Sequence, residues 1–179
     1  MKFVKTPIEN LFVVESAIYI DERGYFFEAY NREQFLKNGF AFDFIQDNQS
    51  FSTQGVIRGL HFQIEPYAQT KLVRVLEGEI LDVVVDLRHD SKTYGHTFSV
   101  VLSVENKKQL LVPAGFAHGF SVLSETASVM YKVDQVYNKE SERGIRYDDP
   151  TLNIDWKIAP DKIIVSDKDL VLPYFTAVV

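Results

Sequence analysis

The sequence contains no cysteine, and long apolar runs are also missing. Without cysteine there is neither a disulfide framework nor a thiol nucleophile, so we expect an intracellular, cytoplasmic protein. No apolar run approaches the roughly 18 residues that a membrane helix needs. No apolar segment follows Met1–Lys5, as it would in a signal peptide. The sequence therefore predicts a protein without a membrane partner.

A basic cluster is missing as well. Lys and Arg number 19 against 25 Asp and Glu, which gives a net charge of −6. Nucleic-acid-binding proteins usually carry a basic face, so we expect no nucleic-acid partner. The 179 residues, 46% of them hydrophobic, fit one globular domain over residues 1–179. The chain has no internal repeat or low-complexity segment.

Most of the chain has the pattern of β-strands, with turn signals about every 8 to 12 residues. The predicted strands are Thr70–Leu76, Glu79–Leu87, His96–Val104, Gln109–Val112, His118–Leu123 and Ser128–Val136. This spacing indicates an all-β sandwich or barrel. Because open sheet edges need protection, a jelly roll that pairs with a second copy is the economical architecture.

One short helix interrupts the strands. Asn31 can cap its N-terminus with Gln34 at the capping-box position, and Asn38-Gly39 ends it. Phe35 and Leu36 are predicted to form its buried side. From about Asp148 onward the chain is expected to be irregular, with a short helix.

The segment Gly55–Gln63 carries the strongest chemical signal. Leu60 and Phe62 flank His61, so in an extended segment His61 points to the opposite side. Arg58 lies three residues earlier and would face the other way in a regular strand. Gly55 and Gly59 are expected to bend the strand and bring both side chains into one cavity. A histidine beside cations suits proton transfer next to a bound anion.

Other candidate groups lie further along the chain. Lys71 shares a strand face with Val73, so its ammonium is expected to point inward, where it needs an anionic partner. His118 stands next to Gly119 in a segment that allows close backbone approach. Tyr131 and Tyr137 share one strand face, and a phenol in a polar cavity can donate a proton. For each of these groups, a purely structural role as a core side chain or a solvated strand end remains the alternative.

A metal centre is not expected. Metal-binding cupin barrels usually offer two histidines one residue apart, a glutamate and a later histidine, but residue 63 is Gln. His89 and His96 lie beside turn signals and are predicted to be exposed. His61 and His118 alone are too few for a centre that needs three or four ligands.

Several motifs, in order, resemble the dTDP-4-dehydrorhamnose 3,5-epimerase family from about Thr6 to about Pro173. The motifs are Asp21–Phe26, Gln46–Asn48, Arg58–His61, Lys71–Val75, Pro113–Phe120 and Asp167–Asp169. The resemblance implies a metal-free, cofactor-free double-stranded β-helix, that is, a cupin-like jelly roll with short peripheral helices. It also implies a homodimer that binds a dTDP-sugar.

The resemblance implies a role for each matching residue. His61 is expected to be the catalytic base, Asp169 its orienting carboxylate, Lys71 the cation at the sugar O4 and Tyr131 the acid on the opposite face. The residues expected to bind the substrate are Arg23, Glu28, Gln46, Asp47, Asn48, Arg58, Lys71, His118, Tyr137, Glu142 and Lys168. In this family some of them come from the partner subunit.

The expected reaction is epimerisation of dTDP-4-dehydro-6-deoxy-D-glucose at C3 and C5 through an enolate. An epimerase acting at only one of these carbons is a second hypothesis, since the same residues serve both reactions. A non-catalytic sugar-nucleotide-binding jelly roll is a third, and a metal-dependent cupin enzyme is a fourth. This sequence departs from the usual family residues at Asp167, Arg143 and Tyr147. These departures bear on which nucleotide and sugar are bound, and not on the class of reaction.

Overall fold

The computed structural model describes residues 1–177, which form two β-sheets packed face to face. The larger sheet contains, in spatial order, β1 (Lys2–Lys5), β2 (Phe12–Glu15), β10 (Gln109–Val112), β7 (Lys71–Glu77), β12 (Thr126–Val133) and β5 (Gln46–Thr53). The smaller sheet contains β13 (Glu142–Gly144), β6 (Ile57–Gln63), β11 (Phe116–Val122), β8 (Glu79–Asp86) and β9 (Thr97–Ser103). A separate hairpin is formed by β3 (Tyr19–Asp21) and β4 (Gly24–Phe26). The predicted all-β jelly roll is confirmed.

Apolar side chains fill three layers. The first lies between the two sheets and includes Val73, Val84 and Phe120. The second packs the smaller sheet against the C-terminal chain around Trp156, and the third includes Leu72 with α1 (Arg32–Lys37) and nearby phenylalanines. The central strands β7, β8, β10 and β11 are buried on both faces, whereas β5 and β9 at the sheet edges alternate with exposed residues.

The six predicted strands are present as β7 to β12, with ends that differ by a few residues. The sequence reading did not identify β5, whose residues are mostly polar. This strand forms because its whole length pairs antiparallel with β12, from Gln46 opposite Val133 to Thr53 opposite Thr126. Tertiary pairing here overrides a weak local signal.

The predicted helix is also present. The Asn31 side chain accepts a hydrogen bond from the Gln34 backbone N–H, and Phe35 is fully buried. The prediction for Leu36 is wrong, because this side chain is 42% exposed. Successive helical residues are rotated by about 100°, so a short helix that buries Phe35 turns the next side chain toward solvent.

The C-terminal chain is mostly irregular, as predicted, and contains the short helix α2 (Asp167–Leu170) and two 3₁₀ turns, Pro160–Lys162 and Phe175–Ala177. An isolated parallel bridge pairs Ile164 with Val56, the residue just before β6. Within residues 1–177, every helix is too short or too polar to cross a membrane.

An extra residue in β6 shapes the centre of the smaller sheet. His118 of β11 pairs with His61, and Phe120 pairs with Arg58, so three residues of β6 span the space of two on β11. This bulge reverses the side-chain alternation, and therefore Arg58 and His61 face the same side. Gly59 lies inside the bulge with φ +113°, where a Cβ would lie 2.6 Å from the Gly119 Cα.

We expect Gly59→Ala to destabilise the fold by about 3 kcal/mol or more, because it adds a backbone clash to the strain of a positive φ. Gly39→Ala is the matched control. Gly39 also has positive φ (+86°), but a Cβ there meets nothing within 4 Å. It should cost only about 1 kcal/mol. Urea unfolding of both variants measures the difference, and equal losses would contradict a tight β6–β11 contact.

Candidate active site

A cavity of about 540 Å³ opens between the two sheets. It brings together nine of the residues predicted from the sequence. These are Arg58, His61, Lys71, His118, Tyr131, Tyr137, Glu142, Lys168 and Asp169. They come from β6, β7, β11, β12, β13, α2 and the chain after β12. Only the fold can assemble them, since Asp169 lies 108 residues from His61 in the sequence.

His61 is held by the carboxylate of Asp169. The His61 Nε2 lies 2.7 Å from Asp169 Oδ1, and the Gly59 N–H donates to Asp169 Oδ2 at 3.3 Å. Because the carboxylate accepts the Nε2–H bond, the other ring nitrogen, Nδ1, is left as the basic atom. Burial raises the pKa of Asp169, but the His61 and Gly59 bonds outweigh it and keep this pKa below its usual value. The dyad therefore suits a general base.

Asp169 reaches this position through α2. The Ser166 hydroxyl accepts a bond from the Asp169 backbone N–H and caps the helix. The segment Ser166–Asp169 alone does not indicate which aspartate would orient a histidine, and the family resemblance implied Asp169. Asp169 is 3% exposed and points inward, whereas Asp167 is exposed.

Lys71 is an ammonium buried inside the barrel. It is 8% exposed, and its Nζ lies 3.5 Å from the His61 carbonyl oxygen. Burial lowers its pKa to about 8, while the charges of Asp82 and Glu142 act in the opposite direction. The inward orientation predicted from the strand pattern is thus present. Such a cation stabilises negative charge that develops next to it.

Tyr131 faces His61 from the other side of the cavity, because β12 belongs to the larger sheet and β6 to the smaller one. Burial raises the pKa of Tyr131, and the nearby Arg58 partly opposes this. The phenol therefore keeps its proton at neutral pH. Asn48 pairs with Tyr131 across β5 and β12 and accepts a bond from the Gln46 side chain at 2.8 Å.

His118 has its own buried carboxylate, which the sequence reading did not identify. Its Nε2 lies 2.5 Å from Oδ1 of Asp82, a residue with no exposed surface. Oδ2 of Asp82 is buried without a hydrogen-bond partner. A signal was available, because Asp82 interrupts an otherwise apolar strand on the same face as Ile80 and Val84. A carboxylate at such a position needs a polar partner.

The rim of the cavity carries a chain of polar contacts. Tyr137 donates to Glu142 Oε2 at 2.9 Å, and the Lys168 ammonium lies 2.7 Å from Glu142 Oε1. Burial raises the pKa of Glu142, but these two bonds outweigh it and keep the pKa below its usual value. Arg58 is fixed nearby by a bond to the Ser52 hydroxyl. Two cations, Arg58 and the Glu142-paired Lys168, therefore line the cavity, where charge-assisted hydrogen bonds to an anionic ligand can form.

Other residues predicted to bind substrate lie elsewhere. Arg23 is on the β3–β4 hairpin and pairs with Asp21, and the Glu28 side chain accepts a bond from Asn31. Asp47 pairs with Lys132 and is exposed, as alternation along β5 requires when its neighbours Gln46 and Asn48 face inward.

The positions of the four histidines do not favour a metal centre. His61 and His118 each pair with one carboxylate, while His89 and His96 are exposed as predicted. Among the side chains that the structure describes, His, Cys, Asp and Glu form no group of three able to hold a metal ion. The absence of a metal remains a prediction for experiment.

We expect Lys71→Met to stabilise the protein at pH 7, because it removes a buried charge. The lowering from 10.5 to about 8 corresponds to about 3 kcal/mol of unfavourable free energy in the folded state. The unfolded chain binds the proton more tightly, so this penalty is present below pH 8 and is largely relieved as the pH rises from 8 to 10.5. Urea unfolding of both proteins should show a gain of order 1–3 kcal/mol at pH 7 that shrinks by pH 10. An equal difference at both pH values would contradict a buried ammonium.

Comparisons with known proteins agree with this geometry. The family model for dTDP-4-dehydrorhamnose 3,5-epimerase matches residues 5–177. The dTDP-4-dehydrorhamnose 3,5-epimerase of Shigella flexneri is 48% identical over 95% of this chain and 93% of that protein. The crystal structure of the enzyme from Elizabethkingia anophelis has a TM-score of 0.94 at 50% identity, covering 99% of this chain and 97% of that one.

A third relative was solved with a sugar nucleotide bound. The dTDP-6-deoxy-D-glucose-3,5-epimerase from Legionella pneumophila, in complex with dTDP-4-keto-L-rhamnose, has a TM-score of 0.95 at 43% identity. It covers 99% of this chain and 94% of that one. The chain described here belongs to the dTDP-4-dehydrorhamnose 3,5-epimerase family.

Proposed function

We propose that this protein converts dTDP-4-dehydro-6-deoxy-D-glucose to dTDP-4-dehydro-L-rhamnose by inverting C3 and C5. One observation carries the proposal. An imidazole backed by a carboxylate and a protonated phenol face each other from opposite sheets, with the buried Lys71 ammonium in the same cavity. Inverting a carbon needs a base on one face and an acid on the other.

The first step is proton abstraction. The protons on C3 and C5 are acidic because both carbons adjoin the C4 ketone. Nδ1 of His61 takes one of these protons, and Asp169 stabilises the imidazolium that forms. The electron pair moves onto O4 and gives an enolate. The Lys71 ammonium stabilises the negative charge on O4.

The second step is proton return from the other side. Tyr131 donates its phenol proton to the carbon on the face opposite His61, and the electron pair returns from O4 to that carbon. The configuration of the carbon is thereby inverted, and proton exchange with water returns His61 to its neutral form and Tyr131 to its phenol before the second carbon reacts. Raising the pKa of Tyr131 by burial favours this role, because the residue must be protonated when the enolate forms.

The diphosphate is expected at the rim. The protein carries a net charge of −6, yet Arg58 and Lys168 both line the cavity. Guanidinium and ammonium groups bind phosphate oxygens through charge-assisted hydrogen bonds. The two cations therefore offset an anionic ligand locally, despite the acidic surface.

We expect deuterium from solvent to enter both C3 and C5 when the purified protein turns over this substrate in deuterated buffer. NMR measures the exchange at each carbon. Exchange at one carbon only would favour the single-centre epimerase, and exchange at neither would leave the non-catalytic binding protein as the better hypothesis.

Two substitutions separate the base from the acid. His61→Asn should abolish exchange, whereas Tyr131→Phe should keep exchange of the abstracted proton but lose inversion, because His61 can return a proton only to the face it came from. Each loss should be about 10²–10⁴-fold. His89→Asn and Tyr174→Phe make the same chemical changes at exposed positions and should have no effect. Full inversion by Tyr131→Phe would refute its role as the acid.

We propose further that the protein is a homodimer in which the β3–β4 hairpin completes the cavity of the partner. The hairpin carries Arg23 at its turn and exposes apolar side chains on its strands, with Ile20 82% and Phe26 66% exposed in the isolated protomer. A surface patch of this kind is typical of a protein interface. This would bring Arg23 and Glu28, which lie outside the cavity of their own protomer, to a substrate.

Subunit complementation tests this arrangement. We expect Arg23→Ala and His61→Asn to be impaired alone but active when co-expressed, because a mixed dimer then contains one site with both native residues. Light scattering measures the mass of each species. Each variant expressed alone, as a homodimer, serves as a control and gives the residual activity against which the mixed dimer is compared. Failure of mixed dimers to regain activity would show that Arg23 does not act across subunits.

The next proposal concerns the need for a metal or cofactor. We propose that no metal or other cofactor is needed, since every step above uses side chains of the chain itself. Prolonged dialysis against a chelator should leave turnover unchanged, and loss of turnover would favour the metal-dependent cupin hypothesis.

We also propose the cytoplasm as the site of action, because a charged sugar nucleotide does not cross a membrane unaided.

A further inference from the structure

Gln63 stands where metal-binding cupins have a histidine, and its buried amide forms hydrogen bonds at the edge of the cavity. It is the last residue of β6, two positions beyond His61 on the same strand face, and it is 7% exposed. Its amide contacts backbone only. Nε2 donates to the carbonyls of Tyr67 at 2.6 Å and Val136 at 3.1 Å, and Oε1 accepts from the Asn138 N–H at 2.7 Å.

These bonds enclose one rim residue. Val136 and Asn138 are the neighbours of Tyr137, so a single buried amide holds the backbone on both sides of it. The Tyr137 side chain is 57% exposed and has little packing of its own. Its direction therefore depends on this backbone and on the bond to Glu142.

The Gln63 amide also influences the position of Glu142, through the short turn that begins at Asn138. The Asn138 carbonyl accepts the Glu142 N–H at 3.1 Å, and the Asn138 side chain accepts the Ser141 N–H at 3.0 Å. Once Gln63 fixes Asn138, it also fixes the start of β13. The carboxylate that holds Lys168 is thus placed indirectly by Gln63.

A second loop is tied in by the bond to Tyr67. The chain between β6 and β7 is joined to the chain between β12 and β13 at further points, since Gln69 donates to the Gln135 carbonyl and the Thr70 N–H donates to Asp134. Those two bonds lie before Val136. Among the residues described, Gln63 is the side chain that bonds the backbone directly on both sides of Tyr137.

We propose that Gln63 is a positioning residue for the nucleotide part of the ligand. It preorganises the rim formed by Tyr137, Glu142 and Lys168, while His61 and Tyr131 carry out the chemistry deeper in the cavity. The proposal rests on the proposed function for the identity of the ligand. Preorganised contacts bind more tightly because less freedom is lost on binding. Loosening the rim should weaken binding and leave the chemical step nearly intact.

The test uses Gln63→Met, which keeps an unbranched side chain but removes all three bonds, and Gln63→Glu, which turns an oxygen toward two carbonyls. The probe is dTDP, measured by calorimetry, together with KM and kcat for epimerisation. We expect Kd for dTDP and KM to rise about tenfold or more in both variants, with kcat within about threefold. Hydrogen exchange at Asn138 should also become faster.

Gln54→Met is the matched control, because Gln54 likewise donates to a backbone carbonyl, that of Leu123, but lies outside the cavity. It should change none of these values. Unchanged dTDP affinity in both Gln63 variants would overturn the proposal. So would a loss of kcat at constant KM, or failure of both variants to fold, since Gln63 would then serve chemistry or folding.

The outcome can be separated from that of the proposed function. A wild-type protein that binds dTDP but exchanges no sugar protons would refute the epimerase proposal. The positioning role would still stand if the Gln63 variants bound dTDP more weakly than that wild-type protein.

Discussion

The contact between β6 and β11 at Gly59 is the constraint on which the site depends. The extra residue in β6 places Arg58 and His61 on one side of the strand, and the Gly59 N–H helps to hold Asp169. Glycine is required because a side chain would meet the backbone of β11. One backbone irregularity thus positions His61, Asp169 and Arg58, the proposed base, its orienting carboxylate and a cation for the ligand.

Lys71 illustrates a conflict between stability and chemistry. Its ammonium is buried beside a histidine, and this position is unfavourable for a charge. The negative charge of Asp82 limits the penalty, and an enolate oxygen would do the same during the reaction. The folded state therefore holds a cation that lacks sufficient negative charge around it until the reacting substrate supplies more. This is the arrangement expected of transition-state stabilisation.

The C-terminal chain matters more than its irregular appearance suggests. It covers the outer face of the smaller sheet and carries α2, which places Lys168 at the rim and Asp169 against His61. Two neighbouring residues of one short helix therefore contact Glu142 at the rim and His61, the proposed base. Gln63 and His61 show the same division along β6, since we propose that one side chain positions the rim and the other transfers protons.

Much of this protein could be predicted from local patterns, because they reflect interactions close in sequence. Alternation along Glu79–Asp86, the Asn31 cap and the inward face of Lys71 follow from backbone geometry and neighbouring residues. The ordered motifs indicated the family, and with it the roles assigned to His61 and Tyr131. The exposure of Leu36 was missed because a helix of six residues does not reveal how wide its buried face is.

Only the tertiary structure decided which distant groups meet. The contact of Asp169 with His61, the pairing of Asp82 with His118 and the bonds of the Gln63 amide all depend on strand register and on the path of the C-terminal chain. The position of Arg23 outside its own cavity also depends on the hairpin's place in the fold. Sequence patterns record the preferences of short segments, whereas these contacts arise when segments far apart in the chain pack against one another.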